Sequence, residues 1–209
     1  MLIVGAKGFA KEVLEVLHQS GLPEPMMFFD NVSTDVPDVL YGKFKVVRSF
    51  EHAEEIFGKL SPDFCLGVGG TSLRASLSQK MKERGGRLRS VISPNASIGH
   101  YGNVLHDGLS LMTGAVITND ITIHEGCLLN LNCTIGHDCV IGEYCDINPG
   151  VHISGNSKLG AYCSLGTGCV VLPKIIIGNN VTVGAGAVVV KDIPDNATVV
   201  GIPAKPLIK

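Results

Sequence analysis

His137 and Asp138 stand side by side in the run TIGHDCVIGEYCDI, residues 134–147, which is otherwise dominated by small and branched apolar residues at regular spacing. An imidazole, with a pKa of about 6.5, is suited to taking a proton from a nucleophile at neutral pH. A carboxylate hydrogen-bonded to its other ring nitrogen would fix the tautomer and stabilise the imidazolium. The pair therefore has the makings of a general base with its orienting partner. A solvated polar pair on a surface turn would look the same, and the residue types alone leave both readings open. His124 and His152 are further imidazoles nearby, and each is expected on the solvated exterior.

The elements that must carry this pair are written in a six-residue period. Ile, Leu or Val occupies thirteen consecutive positions from Ile117 to Val189 at intervals of six, and the same phase, displaced by one residue, covers Ile92, Ile98 and Val104. Four residues after each of the thirteen comes a small or branched apolar residue, with Ser157 the one polar member. Six of the seven cysteines fall in that set, so they read as compact buried hydrophobes, not as a disulfide or metal framework. No Cys-x-x-Cys of zinc type occurs and no metal is expected. Six residues are too many for a helical turn, whereas a solenoid of short strands and tight turns needs them. Glycines in IGHDCV, LGTGCV and VGAGAV suit such turns.

Residues 1 to about 90 follow a different grammar. LIVG (2–5), MFFD (27–30) and DFCLGVG (63–69) read as strands, with helices expected from Gly8 to about Gln19 and from Ser72 to Arg84. This β-α-β order implies a small parallel sheet. Gly5, Gly8 and Ala10 form a turn from strand into helix, where backbone N–H groups can hold a phosphate; the same glycines also suit a plain tight connection. The full G-x-G-x-x-G is absent, which disfavours a nicotinamide-dependent oxidoreductase.

Composition excludes other classes. A formal net charge of −2, with no basic run beyond pairs such as Arg87 and Arg89, offers no footprint for nucleic acid or anionic lipid. No segment reaches the roughly 20 apolar residues of a membrane span, and no signal peptide is evident, so a cytoplasmic location is expected. Aromatic residues make up only 5% and Trp is absent, which points to a core of small and β-branched side chains.

The combination of GAKGFAKEV (5–13), FFDN (28–31), GVGGTSLR (67–74), SPNASIG (93–99), NLNCTIGHD (130–138) and VVGIPAKP (199–206) resembles the hexapeptide-repeat sugar acetyltransferases of the sialic acid O-acetyltransferase and UDP-4-amino-sugar N-acetyltransferase type. The resemblance implies a Rossmann-like sugar-nucleotide-binding domain at 1–90 followed by an all-β, left-handed parallel β-helix at 91–209. It implies acetyl-CoA as co-substrate, a homotrimer with active sites between subunits, and transfer to the amino group of a UDP-linked amino sugar in bacterial surface-glycan biosynthesis. Acetylation of a hydroxyl on a sialic acid or related sugar acid is the alternative.

Carried onto this chain, the resemblance makes His137 the catalytic base and Asp138 the residue that tunes it. Gly5, Gly8, Asp30, Asn31, Gly69 and Gly70 would hold the nucleotide sugar, and Asp146, Gly155, Thr167, Gly184 and Lys205 would meet acetyl-CoA. Asp146 stands where some relatives carry a second histidine near the thioester, and Phe9 replaces a histidine of other relatives.

Overall fold

A computed structural model describes residues 1–21 and 25–207. The chain opens with β1 (Leu2–Val4), α1 (Gly8–Gln19), β2 (Met27–Phe29), β3 (Val39–Leu40), β4 (Phe44–Val47), α2 (Phe50–Lys59), β5 (Asp63–Leu66), α3 (Thr71–Lys82) and β6 (Arg87–Leu88). The strands form one sheet in the order β3-β4-β2-β1-β5-β6, parallel except where β3 meets β4. All three residues of β1 are buried, as expected of a central parallel strand covered on both faces. Helix α1 buries Ala10, Val13, Leu14, Val16 and Leu17, an apolar stripe at helical spacing.

The elements expected from sequence are present, and β3, β4, α2 and β6 add to them. The sequence does carry signals for α2. Ser49 caps it by accepting from the His52 amide at 3.2 Å, and Ala53, Ile56 and Phe57 form its buried stripe.

From Val91 the chain winds into a three-sided parallel β-helix whose strands are each only two or three residues long. Strands 18 residues apart pair in register, as Thr134↔His152 and Asp146↔Ser164 do, so three hexapeptides make one coil. Call the face that contains Asp146–Ile147 the first, that of His152–Ile153 the second and that of Lys158–Leu159 the third. The thirteen periodic residues all point inward with at most 3% exposure, and the six cysteines of the partner set are buried completely. Ser157 shares that burial and donates to the Leu172 carbonyl at 3.1 Å, which satisfies its hydroxyl.

One detail of the period needs correction. Ile92 pairs with Leu111 and Ile98 with Ile117, each 19 residues on, but Leu105 pairs with Ile123, 18 residues on. Leu105, not Val104, therefore faces the core, while Val104 is 51% exposed. The extra residue lies in the turn between Ile98 and Leu105, so the displaced phase ends there.

All seven cysteines are free thiols. Burial pushes the thiols of Cys65 and Cys169 up to about 12 and that of Cys133 to about 11. A disulfide-forming thiol reagent at pH 8 is therefore expected to label almost none of the seven in the native protein and all of them in guanidinium. Rapid native labelling of several thiols would contradict the stacked core.

Candidate active site

The turn that carries His137 follows Thr134–Ile135 on the second face and precedes Val140–Ile141 on the third. It is held between neighbouring coils, because the Asp138 amide donates to Asn119 O at 3.3 Å and the Asn156 amide donates to His137 O at 2.8 Å. Asp138 adopts a left-handed conformation, φ +58°, which Asp tolerates better than most residues with a side chain. His137 Nδ1 and Asp138 Oδ2 lie 2.7 Å apart, and both side chains are more than half exposed. With the proton on Nδ1 donated to the carboxylate, Nε2 keeps its lone pair for a proton from outside.

Gly155 occupies the equivalent place one coil further on. A Cβ there would come within 2.7 Å of His137 Nε2 and 2.8 Å of Cε1. The imidazole therefore lies directly against the Gly155 backbone, and a glycine is what makes room for it.

A cleft of about 500 Å³ opens beside the carboxyl ends of β1, β2 and β5. Such a position is where parallel α/β sheets bind ligands. Gly5, Asp30, Asn31 and Gly69 line it; Gly8 and Gly70 stand outside its lining. Gly5 has φ +113°, and a Cβ on it would sit 2.6 Å from the Gly67 carbonyl oxygen, so close backbone packing requires this glycine. Asp30 is largely buried and its Oδ1 accepts from the amides of Val32 and Ser33 at 3.2 and 2.8 Å. Arg48 reinforces the same loop through the carbonyls of Asp30, Ser33 and Val36.

Several residues of the cleft were not singled out in the sequence. Phe29 and Phe50, with ring centroids 4.9 Å apart, and Leu77 give it an apolar wall, while Lys7 and Lys80 bring cations to it. Lys7 pairs with Asp35 at 2.9 Å across the start of α1, and that helix start has no side-chain cap. Flat apolar surface beside cations and a helix N-terminus can accept a base together with phosphates. Pattern reading from one strand or helix at a time does not reveal this wall, because Phe29, Phe50 and Leu77 come from three separate elements.

The residues expected around acetyl-CoA do not converge in one chain. Gly155 shares the edge of His137, between the second and third faces, whereas Thr167 and Gly184 stand on the edge between the first and second. Thr167 is exposed, and Lys205 is exposed on the closing strand Lys205–Pro206, which runs antiparallel to Thr198–Val200. Asp146, on the first face, is 6% exposed and lies beneath the N-terminal sheet domain. Its Oδ2 accepts from the Gly70 amide at 2.6 Å and its Oδ1 lies 3.6 Å from Arg74 Nε. Burial raises its pKa above the ordinary carboxylate value, while Arg74 and the Gly70 bond act in the opposite direction.

His152 and His124 lie on the outer surface of the coil. His152 is exposed, with Nδ1 2.9 Å from Thr134 Oγ1. His124 is half-buried and not fully solvated, because it stacks on His106 at 4.9 Å. Among the described residues no group of three or more His, Cys, Asp or Glu is arranged for a metal, and no helix is long and apolar enough to cross a membrane.

Comparison with known proteins matches residues 1–81 to the PglD N-terminal domain and residues 120–155 and 156–191 to the bacterial transferase hexapeptide (six repeats). No curated protein sequence matches the chain. Among solved structures, the acetyltransferase domain of PglB from Neisseria gonorrhoeae FA1090 is 32% identical with a TM-score of 0.90, over 99% of this chain and 98% of that one. A variant of perosamine N-acetyltransferase from Caulobacter crescentus, solved with CoA and GDP-perosamine, is 29% identical with a TM-score of 0.92, over 100% and 96%. WeeI from Acinetobacter baumannii AYE is 29% identical with a TM-score of 0.88, over 99% and 98%. With an α/β sheet domain joined to a hexapeptide coil and these matches along its whole length, the chain belongs to the hexapeptide-repeat sugar acetyltransferases, enzymes built on a left-handed parallel β-helix.

Proposed function

We propose that this enzyme transfers the acetyl group of acetyl-CoA to the amino group of a UDP-linked amino sugar in bacterial surface-glycan biosynthesis, with His137 as general base. Residues 1–90 bind the nucleotide sugar and residues 91–209 carry the acetyl transfer. The observation that carries this reading is the His137–Asp138 pair, bonded at 2.7 Å and seated against Gly155 with Nε2 directed away from the carboxylate. Support comes from the relatives: the Caulobacter enzyme was solved with CoA and GDP-perosamine, and the PglB domain with acetyl coenzyme A.

An amine that attacks a thioester carbonyl must shed a proton as its C–N bond forms and the C–S bond breaks. His137 Nε2 takes that proton, and Asp138 stabilises the resulting imidazolium through Nδ1–H. The same imidazolium can return a proton to the departing thiolate. A thin pantetheine arm passes the base along this edge, and backbone N–H groups serve the developing oxyanion. In the cleft, the aromatic wall receives the base of the nucleotide, and Lys7 with the start of α1 receives its phosphates.

The N-terminal sheet domain covers the first face, while His137 lies on the edge between the other two. A nucleotide sugar in one chain's cleft therefore needs the base of another chain. On this reading the enzyme is a homotrimer with shared sites that works in the cytoplasm.

His137→Ala should lower kcat by about 10² to 10⁴-fold while leaving CoA binding intact, and Asp138→Asn should lower it less. Gly155→Ala, which pushes a methyl against the ring, should reduce kcat without unfolding the protein. Near-normal turnover by His137→Ala would refute the general-base assignment.

Asp30→Ala should raise the KM for the nucleotide sugar and spare that for acetyl-CoA, because the two ligands occupy different domains. A thiol-release assay with acetyl-CoA across UDP- and GDP-linked amino sugars and free sialic acids tests the acceptor. Release with sialic acids alone would overturn N-acetylation. Sedimentation at micromolar concentration is expected to show a trimer; a monomer with full activity would refute shared sites.

A further inference from the structure

Arg74 and Asp146 are buried charges for which the proposed chemistry has no use. Arg74, on the first turn of α3, is wholly inaccessible, and Asp146 is nearly so. Burying such a pair strips both ions of water before their attraction offsets the loss, and apolar residues of similar size often dock two surfaces just as well. Simple attachment of the sheet domain to the coil therefore does not require these charges.

Their hydrogen bonds converge on one short segment. Arg74 Nη1 donates to Val68 O at 2.9 Å, while its Nε and Nη2 donate to Gly126 O on the coil at 3.1 and 2.8 Å. Asp146 Oδ2 accepts from Gly70 N at 2.6 Å. Val68–Gly69–Gly70 is thus held at both ends by groups fixed to the β-helix. Val68 and Gly69 line the cleft, and Gly70 has φ +89°, a conformation that leaves the tip with little preference of its own among L-residue geometries. The second oxygen, Oδ1, is buried with no hydrogen-bond partner. Oδ1 faces Arg74 Nε at 3.6 Å, beyond hydrogen-bond length, so among the described residues Oδ2–Gly70 is the hydrogen bond that the carboxylate makes.

We propose that Asp146 is a positioning residue for the nucleotide sugar: through the Gly70 amide it sets the wall of the cleft, and Arg74 fixes the other end of that wall. The β-helix then shapes the binding cleft of the sheet domain as well as carrying the base. Asp146 acts on the acceptor side, not on acetyl-CoA. This inference rests on the proposal that the cleft binds a nucleotide.

The test combines steady-state kinetics with calorimetric titration of the whole protein by UDP and by GDP. In Asp146→Ala the nucleotide Kd and the KM for the sugar nucleotide should rise about tenfold or more, with the KM for acetyl-CoA unchanged and kcat within about threefold. Asp146→Asn keeps an oxygen for the Gly70 amide and should recover most of that loss. Because Asp146→Ala strands the Arg74 charge, the double variant Arg74→Met with Asp146→Leu restores an apolar junction; it should melt near the wild-type temperature and still bind nucleotide about tenfold more weakly.

A double variant with wild-type Kd, an Asn variant as weak as the Ala variant, or an effect confined to acetyl-CoA would each overturn the inference. If the wild type binds neither UDP nor GDP, the nucleotide reading of the cleft fails and this inference falls with it. Wild-type binding that survives all three substitutions defeats the inference alone.

Discussion

The 18-residue stacking of short parallel strands is the constraint on which the rest of this molecule depends. Strands held at about 4.8 Å by backbone hydrogen bonds leave no freedom to shift one coil against the next. Through the regular coils a side chain at an edge is thereby placed against the residue 18 positions away. His137 meets Gly155 for this reason, and so does His106 meet His124. The inward residues make that register costly to change, since a slip of one residue would turn the apolar ladder to solvent and polar turn residues to the core. Chemistry at an edge therefore borrows its rigidity from a core that takes no part in it.

The ladder was legible because its signal is local and repeated. Thirteen positions agree with one another, and cysteine at six places in the second set makes sense only as a small apolar filler. The break between Ile98 and Leu105 was harder to place, because valine and leucine are adjacent at 104 and 105 and either could be the inward residue. The sheet domain was legible in outline. Helix α2 and strand β4 carry ordinary signals in Ser49 and the apolar residues that flank it, weaker than the repeated signal of the ladder.

Asp146 shows where reading along the chain stops. Its partner Gly70 lies 76 residues away, and nothing in the local sequence indicates that the sheet domain would cover this face of the coil. Position in a family pattern suggested a place beside the cofactor; in the folded chain Asp146 is buried with a guanidinium beside it. The His137–Asp138 pair proposed as the base, by contrast, was legible because its two members are adjacent and the repeat that presents them is regular. Arg48 and Arg74 were missed for one shared reason: besides a carboxylate each, their donors serve backbone carbonyls, whose positions depend on the folded chain and not on any residue type.

The distribution of groups over the prism has a consequence for how acceptor choice can vary. The cleft wall is made by aromatic and aliphatic side chains of the sheet domain, whereas the His137–Asp138 pair sits on an edge that this domain does not cover. Substitutions that reshape the wall, such as at Phe50 or Leu77, touch no residue that orients the imidazole. The converse holds less well. The tip Val68–Gly70 is tied to Gly126 and Asp146, so a change in the coil beneath it would alter the cleft even though it lies outside it. With the acceptor in this cleft, as proposed, specificity is free to change from the sheet side, whereas on the coil side two buried charges hold the tip.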